Sequence, residues 1–164
     1  MHLPAYTYLA QMGIAYTRLT FPPSTAKGAA NVAAALGYRE RQMVKTLIFV
    51  TDQGERVLVM LGGDQNAISG HLKKVIGSRN ITMASPKIVK DVTGYVIGSI
   101  PPFSWQPPDF RAFIDVALLQ EEYLGVGAGQ WGEEIIITPA DLVRASQALV
   151  VNLAEAGRAI FVLE

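Results

Sequence analysis

The stretch Met43–Val50, MVKTLIFV, is typical of a buried β-strand into which one lysine has been set. A second apolar run, Arg56–Leu61, follows the short turn TDQGE, and two such runs around an Asp/Gly-containing turn predict a β-hairpin. Lysine is seldom buried without a partner. Lys45 is therefore either a strand-end lysine that extends its ammonium group to water or a cation fixed at the rim of a pocket.

Helical and extended patterns alternate in the first half of the chain, and extended patterns dominate the second half. Helices are expected at Pro4–Met12, in the alanine-rich segment capped by Ser24 or Thr25 that ends at Gly37, over Gln65–Ile76, from Pro86 to Gly94, and from Pro139 onward. Further strands are expected at Ala15–Phe21, Asn80–Met83, Ala112–Ile114, Tyr123–Val126, Glu133–Thr138 and Ala159–Leu163. This order predicts one α/β domain over residues 1–164, with a mixed, curved, barrel-like sheet flanked by helices.

The composition excludes several kinds of site. The chain has no cysteine, which rules out disulfides, cysteine zinc sites and thiol catalysis. Its two histidines, His2 and His71, support neither a Ser-His-Asp triad nor a histidine metal cluster, so neither a metal nor a cofactor is expected. The apolar runs are far shorter than the ~20 residues that span a bilayer, and the N-terminus lacks a signal-peptide pattern. We therefore expect a cytoplasmic location and no membrane partner.

Charge is distributed unevenly although the net charge is zero. Residues 39–90 contain nine Lys/Arg and four acidic residues, whereas residues 91–164 contain three arginines and ten acidic residues. Such asymmetry is compatible with a polyanion-binding face, and equally with ordinary solvated helix surfaces. The sequence leaves both interpretations open.

Two glycine-containing segments are candidates for backbone contacts with a ligand. The loop 98–104, GSIPPFS, is either a stiff surface connection or a rigid loop whose backbone N–H groups converge on an oxyanion. The segment GVGAG at 125–129 looks like a nucleotide fingerprint, but a strand follows it where a helix is required. It is interpreted as a turn between strands where the backbone can approach a ligand closely.

Six segments resemble, in order, the YbaK/prolyl-tRNA-synthetase-associated (INS-like) editing domain family. They are FPPSTAKGAANVAAALG (21–37), MVKTLIFV (43–50), GHLKKVIGSRNITMAS (70–85), VKDVTGYVIGSIPPF (89–103), FIDVALL (113–119) and YLGVGAGQWGEEIIITPADLV (123–143). The resemblance extends over roughly residues 5–155. Each motif is weak alone, and their agreement in register makes the resemblance specific.

The resemblance implies hydrolysis of the ester bond between a wrongly attached small amino acid, such as Cys, Ala, Ser or Thr, and the tRNA 3′-end. It assigns catalytic roles to Lys45 and to Gly98 in the G-x-x-x-P loop. It implies that Asp115 of the Ile-Asp pair is structural rather than chemical. The substrate-binding residues that it implies are Ser99, Ile100, Pro101, Pro102, Phe103 and Gly129.

Two positions depart from the family pattern. Ser104 stands where many members have glycine, which could narrow the pocket or restrict the backbone. Gln130 and Trp131 stand where some alanine-selective members have a histidine. The expected partners are the 3′-end of aminoacyl-tRNA and an aminoacyl-tRNA synthetase. One alternative is a non-catalytic tRNA- or nucleotide-binding module on the same fold. The other is a domain that regulates a synthetase or another enzyme, with the apolar segment Ala159–Leu163 as its docking edge; the oligomeric state stays open.

Overall fold

The computed structural model of the chain describes residues 2–154. The helices are α1 (Pro4–Gln11), α2 (Ala29–Leu36), α3 (Ser69–Ile76), α4 (Pro86–Thr93) and α5 (Pro139–Ser146). The strands are β1 (Thr17–Thr20), β2 (Val44–Thr51), β3 (Arg56–Gly62), β4 (Ile81–Met83), β5 (Ala112–Asp115), β6 (Leu124–Gly127), β7 (Glu133–Ile137) and β8 (Leu149–Val151). Short 3₁₀ turns lie at Glu40–Gln42 and Val116–Gln120.

The strands form two sheets. The larger has the order β4-β2-β3-β5-β8 and is mixed, because β2 pairs antiparallel with β3 and β4 whereas β3, β5 and β8 run parallel. The smaller sheet, β1-β7-β6, is antiparallel. A bridge between Met43 and Gly125 links them. The expected α/β class with a mixed sheet and the β2–β3 hairpin are confirmed, although the described strands divide between two sheets instead of closing into one barrel.

The hairpin is the centre of the core because its two faces are both covered. On one face, Ile48, Leu58 and Met60 belong to a cluster that also includes apolar residues of α1, α5, β6 and β7. On the other face, Val57 and Val59 pack with residues of α3. A strand buried on both faces is expected to be apolar throughout, which explains the near-continuous hydrophobic sequence of β3.

Helix α2 begins later than the sequence predicts. Neither Ser24 nor Thr25 caps it; the helix starts at Ala29, after Gly28 at φ 120°. The Thr25 N–H donates instead to the Pro22 carbonyl in a turn. Gly28 adopts a conformation that residues with a side chain rarely adopt, so the helix cannot extend back through it.

Helix α3 also begins late, at Ser69 instead of Gln65. The residues before it are held in non-helical contacts, because the Gln65 side chain accepts a hydrogen bond from Gly62 N–H and Ile68 N–H donates to the Leu153 carbonyl. Strand β8 was not predicted, since three residues give too little pattern. The strand expected at Ala159–Leu163 lies outside the described residues.

Asp115, at the end of β5, connects distant parts of the chain. It is 1% exposed, and its carboxylate accepts hydrogen bonds from the backbone N–H groups of Leu153 (2.7 Å), Ala154 (3.1 Å) and Ala117 (3.1 Å), and from Nε2 of Gln65 (3.3 Å). Hydrogen bonds to an ionised acceptor are stronger than those between neutral groups. One buried side chain therefore fixes the end of β5, the segment after β8 and the turn before α3.

We expect Asp115→Asn to lower the free energy of unfolding by about 3 kcal/mol, because an amide nitrogen would replace one oxygen and leave buried N–H groups without an acceptor. Urea denaturation measures this loss. Asp91→Asn is the matched control: Asp91 is exposed, pairs with Lys87 at 3.0 Å on α4, and should change stability by less than ~0.5 kcal/mol. Equal losses for the two variants would contradict the role given to Asp115.

Candidate active site

A cavity of about 370 Å³ lies where the start of β2, the loop after α4 and strand β7 meet. Lys45, Gly98 and Ile100 all line it, although Lys45 is more than fifty residues from the loop in sequence. The volume is within the range of about 300–1,000 Å³ that is typical of small-molecule sites. A larger cavity of about 820 Å³ lies elsewhere, beside Ser104 and Phe110, and Lys45 is not part of it. The smaller cavity is therefore the candidate site, because the predicted cation and loop meet there.

Lys45 is held in place by the fold. Its ammonium group donates to the backbone carbonyl of Gln65, and the side chain is only partly buried. Gln65 is itself fixed, because its side chain bonds both Gly62 N–H (2.8 Å) and Asp115 (3.3 Å). This arrangement favours the fixed-cation interpretation of Lys45 over a lysine that extends freely into water.

Glycines of β6 allow the 98–100 loop to approach the site. A Cβ atom on Gly127 would lie 2.8 Å from the Ser99 carbonyl carbon and 3.1 Å from the Ile100 oxygen, which is too close for any side chain. The Gly129 N–H donates to the Ser99 carbonyl at 2.9 Å. The close approach at this glycine-rich segment is to the loop 98–100, and the approach to a ligand that the sequence predicts stays a prediction.

Two backbone N–H groups of the loop belong to residues that line the same cavity as Lys45. Ser99 N–H donates to the Val96 carbonyl (3.3 Å), whereas the N–H groups of Gly98 and Ile100 have no acceptor among residues 2–154. Gly98 is exposed and has φ +99°, a conformation that glycine adopts at little cost. Unpaired backbone N–H groups and a cation that line one cavity can together stabilise an oxyanion.

The other predicted loop residues lie behind the cavity. Ser99, Pro101, Pro102 and Phe103 are buried and do not line it. The Phe103 ring stacks on Tyr8, with ring centroids 5.7 Å apart, in the main core. These residues therefore position the loop from behind, and their contact with substrate stays a prediction.

Lys27 and Trp131 at the cavity wall were not predicted as site residues. The Lys27 ammonium lies 3.8 Å from the centroid of the Trp131 ring, and the indole N–H donates to the Pro23 carbonyl at 3.1 Å. The Phe21 ring packs edge-on against the same indole. These contacts join residues about a hundred positions apart, so no local sequence signal could have revealed them.

Strand β2 presents a free backbone edge at Thr46. Among the described strands, β4 pairs with this edge of β2 only from Phe49 to Thr51. The Ile48 carbonyl points to the same edge, because it accepts a hydrogen bond from Ala84 N–H. Alternate residues of an antiparallel strand direct their N–H and C=O groups to the same edge, so the backbone N–H and C=O of Thr46 also point to the edge that β4 pairs with. The Thr46 hydroxyl is buried without a partner within residues 2–154.

The acidic pair 133–134 is divided between two environments. Glu133 accepts a hydrogen bond from the Tyr6 hydroxyl at 2.6 Å and pairs with Arg18 at 3.4 Å. Glu134 lines the cavity, is 8% exposed, and forms no hydrogen bond or ion pair with the described residues. Burial raises the pKa of the Glu134 carboxyl to about 8. No pattern in the sequence indicated that Glu134 would be a buried acid at the cavity.

Ser104 lies outside the candidate site. It adopts φ +82°, a conformation that glycine favours and that other residues rarely adopt. Its hydroxyl is buried without a partner among the described residues and lines the larger cavity. The expected narrowing of the pocket by this serine is therefore not seen at the cavity that contains Lys45.

Similarity to known proteins agrees with this geometry. The family described as "Aminoacyl-tRNA editing domain" matches residues 23–145, about three quarters of the chain. This chain belongs to the aminoacyl-tRNA editing domain family. A multifunctional Ser/Thr-tRNA deacylase, ProXp-y, of Escherichia coli (strain K12) is 34% identical over 99 residues, which is 60% of this chain and 59% of that protein.

Two further relatives of this editing domain match over more of its length. A candidate Cys-tRNA(Pro)/Cys-tRNA(Cys) deacylase, EbsC, of Enterococcus faecalis is 27% identical over 111 residues, covering 68% of this chain and 67% of that protein. The crystal structure of a candidate trans-editing enzyme for prolyl tRNA synthetase superposes with a TM-score of 0.84 at 27% identity, covering 94% and 99% of the two chains. The fold therefore agrees with that solved structure over nearly its whole length.

Neither a cluster of metal-binding residues nor a membrane-spanning helix is found among residues 2–154 of the editing domain. No group of three or more His, Cys, Asp or Glu residues within residues 2–154 could hold a metal ion. In the same range, every helix is too short or too polar to cross a membrane.

We expect Glu134→Gln to make the editing domain less sensitive to pH. The pKa of Glu134 is about 8 in the folded state and near 4.3 in the unfolded state, so ionisation of this carboxyl favours unfolding. The free energy of unfolding of the wild type therefore decreases as the pH rises from the lower to the higher of these two pKa values. The stability advantage of the variant should grow by roughly 3 kcal/mol from pH 5 to pH 8. Thermal and urea unfolding measure it, with exposed Glu122→Gln as control; parallel curves for wild type and Glu134→Gln would contradict the buried-acid assignment.

We expect Ser104→Gly to stabilise the editing domain by about 1 kcal/mol, because glycine relieves the left-handed backbone and removes an unpaired buried hydroxyl. Any hydrolytic activity should be unchanged, since the residue lies away from the Lys45 cavity. Denaturation and a parallel activity assay check both points. A destabilised variant would show that the hydroxyl has a partner that stabilises it.

Proposed function

We propose that residues 1–164 form one editing domain that hydrolyses mischarged aminoacyl-tRNA. The observation that carries the proposal is the meeting of Lys45 and the Gly98 loop at one cavity. The proposed substrates are esters of small amino acids, namely Cys, Ala, Ser or Thr, on the tRNA 3′-end. Relatives described as Ser/Thr-tRNA and Cys-tRNA deacylases support this class of substrate.

The reaction demands little from the protein because the ester is already activated. Water adds to the ester carbonyl, the tetrahedral intermediate collapses, and the ribose oxygen leaves with a proton to give free amino acid and intact tRNA. Charge develops on the carbonyl oxygen during the addition, so the protein must position the ester and stabilise an oxyanion. A fixed cation and backbone amides can do both, without a cysteine or histidine nucleophile.

The proposed roles follow from the geometry of the cavity. Lys45 supplies the positive charge beside the ester, and the N–H groups of Gly98 and Ile100 bind the developing oxyanion. Gly129 acts through the Ser99 carbonyl, which it holds at 2.9 Å. Pro101, Pro102 and Phe103 contribute by making the loop rigid.

The proposed partners follow from the substrate. The cations Lys27 and Lys45 at one cavity suit the phosphates near the tRNA 3′-end. The activity would correct products of an aminoacyl-tRNA synthetase, as the description of the structural relative suggests, and would be exerted in the cytoplasm. Direct association with the synthetase is part of the proposal.

A panel of tRNAs charged with Ala, Cys, Ser or Thr tests the proposal. We expect wild type to hydrolyse at least one ester well above the buffer rate. Lys45→Met, which keeps the apolar stem and removes the charge, should lower that rate by about 10²-fold or more. Lys87→Met is the control, because Lys87 is exposed on α4, and should retain full activity.

Other outcomes separate the alternatives. If folded wild type hydrolyses none of the four esters faster than buffer, the deacylase proposal is wrong. If wild type binds uncharged tRNA without hydrolysing any ester, and Lys45→Met weakens that binding, the non-catalytic binding module is favoured instead. Equal hydrolysis by wild type and Lys45→Met would remove Lys45 from the catalytic role.

A further inference from the structure

Glu134 is a buried acid for which the described fold provides no partner. It is 8% exposed, and no residue within 2–154 forms a hydrogen bond or an ion pair with its carboxylate. An ionised carboxylate without a partner is costly to bury. Its neighbour Glu133, in contrast, is bound to Tyr6 and Arg18. A partner for Glu134 is therefore expected to come from outside the described chain.

The wall beside Glu134 is formed by the Met43 side chain and the glycine backbone of β6. A Cβ atom on Gly125 would lie 2.5 Å from the Met43 Cε and 3.2 Å from a Glu134 carboxylate oxygen, and one on Gly127, opposite Glu134 in the β6–β7 pairing, would collide with the Ser99–Ile100 backbone. The two glycines therefore allow the Met43 side chain and the 98–100 loop to pack directly against β6. Glu134 lines the same cavity as Lys45 and Gly98.

We propose that Glu134 binds the α-ammonium group of the aminoacyl ester. This inference rests on the proposed function and names the group that recognises the amino-acid end of the substrate. Every aminoacyl ester carries its amino group on the carbon next to the ester carbonyl. A cavity with a cation for the carbonyl oxygen and an acid for the amino group therefore matches both poles of the substrate, whichever small side chain it carries.

The other charged groups that line the cavity are Lys27, which lies on the Trp131 ring, and Lys45, which donates to the Gln65 carbonyl. Glu133 lies on the opposite face of β7. Because burial raises the pKa of Glu134 to about 8, formation of an ion pair between its carboxylate and an ammonium group at pH 7 should release a proton.

Two non-hydrolysable probes test the proposal: 3′-deoxy-3′-(serylamino)adenosine, which has a free amino group, and its N-acetyl derivative, which has none. Calorimetric titration at pH 7 in buffers of different ionisation enthalpy gives affinity and proton release together. We expect wild type to bind the free amine at least tenfold more tightly than the N-acetyl form, with release of a large fraction of one proton. Glu134→Gln should lose this preference and the proton release, and bind the N-acetyl probe as wild type does.

Glu133→Gln is the matched control, one residue away on the other face of the strand, and should keep the preference. The proposal is wrong if folded wild type binds neither probe, if it binds both equally, if the preference persists in Glu134→Gln, or if that variant loses affinity for both probes alike. The tRNA ester assay separates this from the proposed function. If the wild type hydrolyses an ester but Glu134→Gln keeps the preference for the free amine, the deacylase proposal stands and the ammonium site is refuted. If the preference depends on Glu134 but no ester is hydrolysed, the ammonium site stands and the deacylase proposal is refuted.

Discussion

The hydrogen bonds to the buried Asp115 carboxylate support the arrangement of the candidate site. Asp115 binds the segment after β8 through Leu153 and Ala154, and it binds the side chain of Gln65. Gln65 in turn presents the carbonyl that receives the Lys45 ammonium group. The position of the cation therefore depends on a carboxylate that does not line the cavity.

The candidate site combines this fixed cation with a loop held against β6 and a buried acid on β7. Glycine at positions 127 and 129 permits the loop to lie on the strand, because side chains there would collide with Ser99 and with Tyr95. Glu134 is kept in an environment that raises its pKa to about 8. Functional sites commonly retain such unfavourable charges, and this one would be stabilised by a positively charged substrate group.

The fold was largely predictable because its strongest elements are local. The β2–β3 hairpin and the start of helix α4 at Pro86 follow from sequence patterns that the structure confirms. The late starts of α2 and α3 were not predictable, because Gly28 and the contacts of Gln65 override helix propensity. At the site, motifs indicated Lys45 and Gly98, whereas Lys27, Trp131 and Glu134 meet only through tertiary packing. A buried, unpartnered acid cannot be distinguished by sequence from an exposed one.

The most direct test is a crystal structure of the protein with 3′-deoxy-3′-(serylamino)adenosine bound. We expect the seryl carbonyl oxygen to lie within hydrogen-bond distance of Lys45 Nζ or of the Gly98 and Ile100 N–H groups, with the amino nitrogen beside the Glu134 carboxylate. A seryl group seated in the larger cavity near Ser104, or left in solvent while only the adenosine is bound, would contradict it.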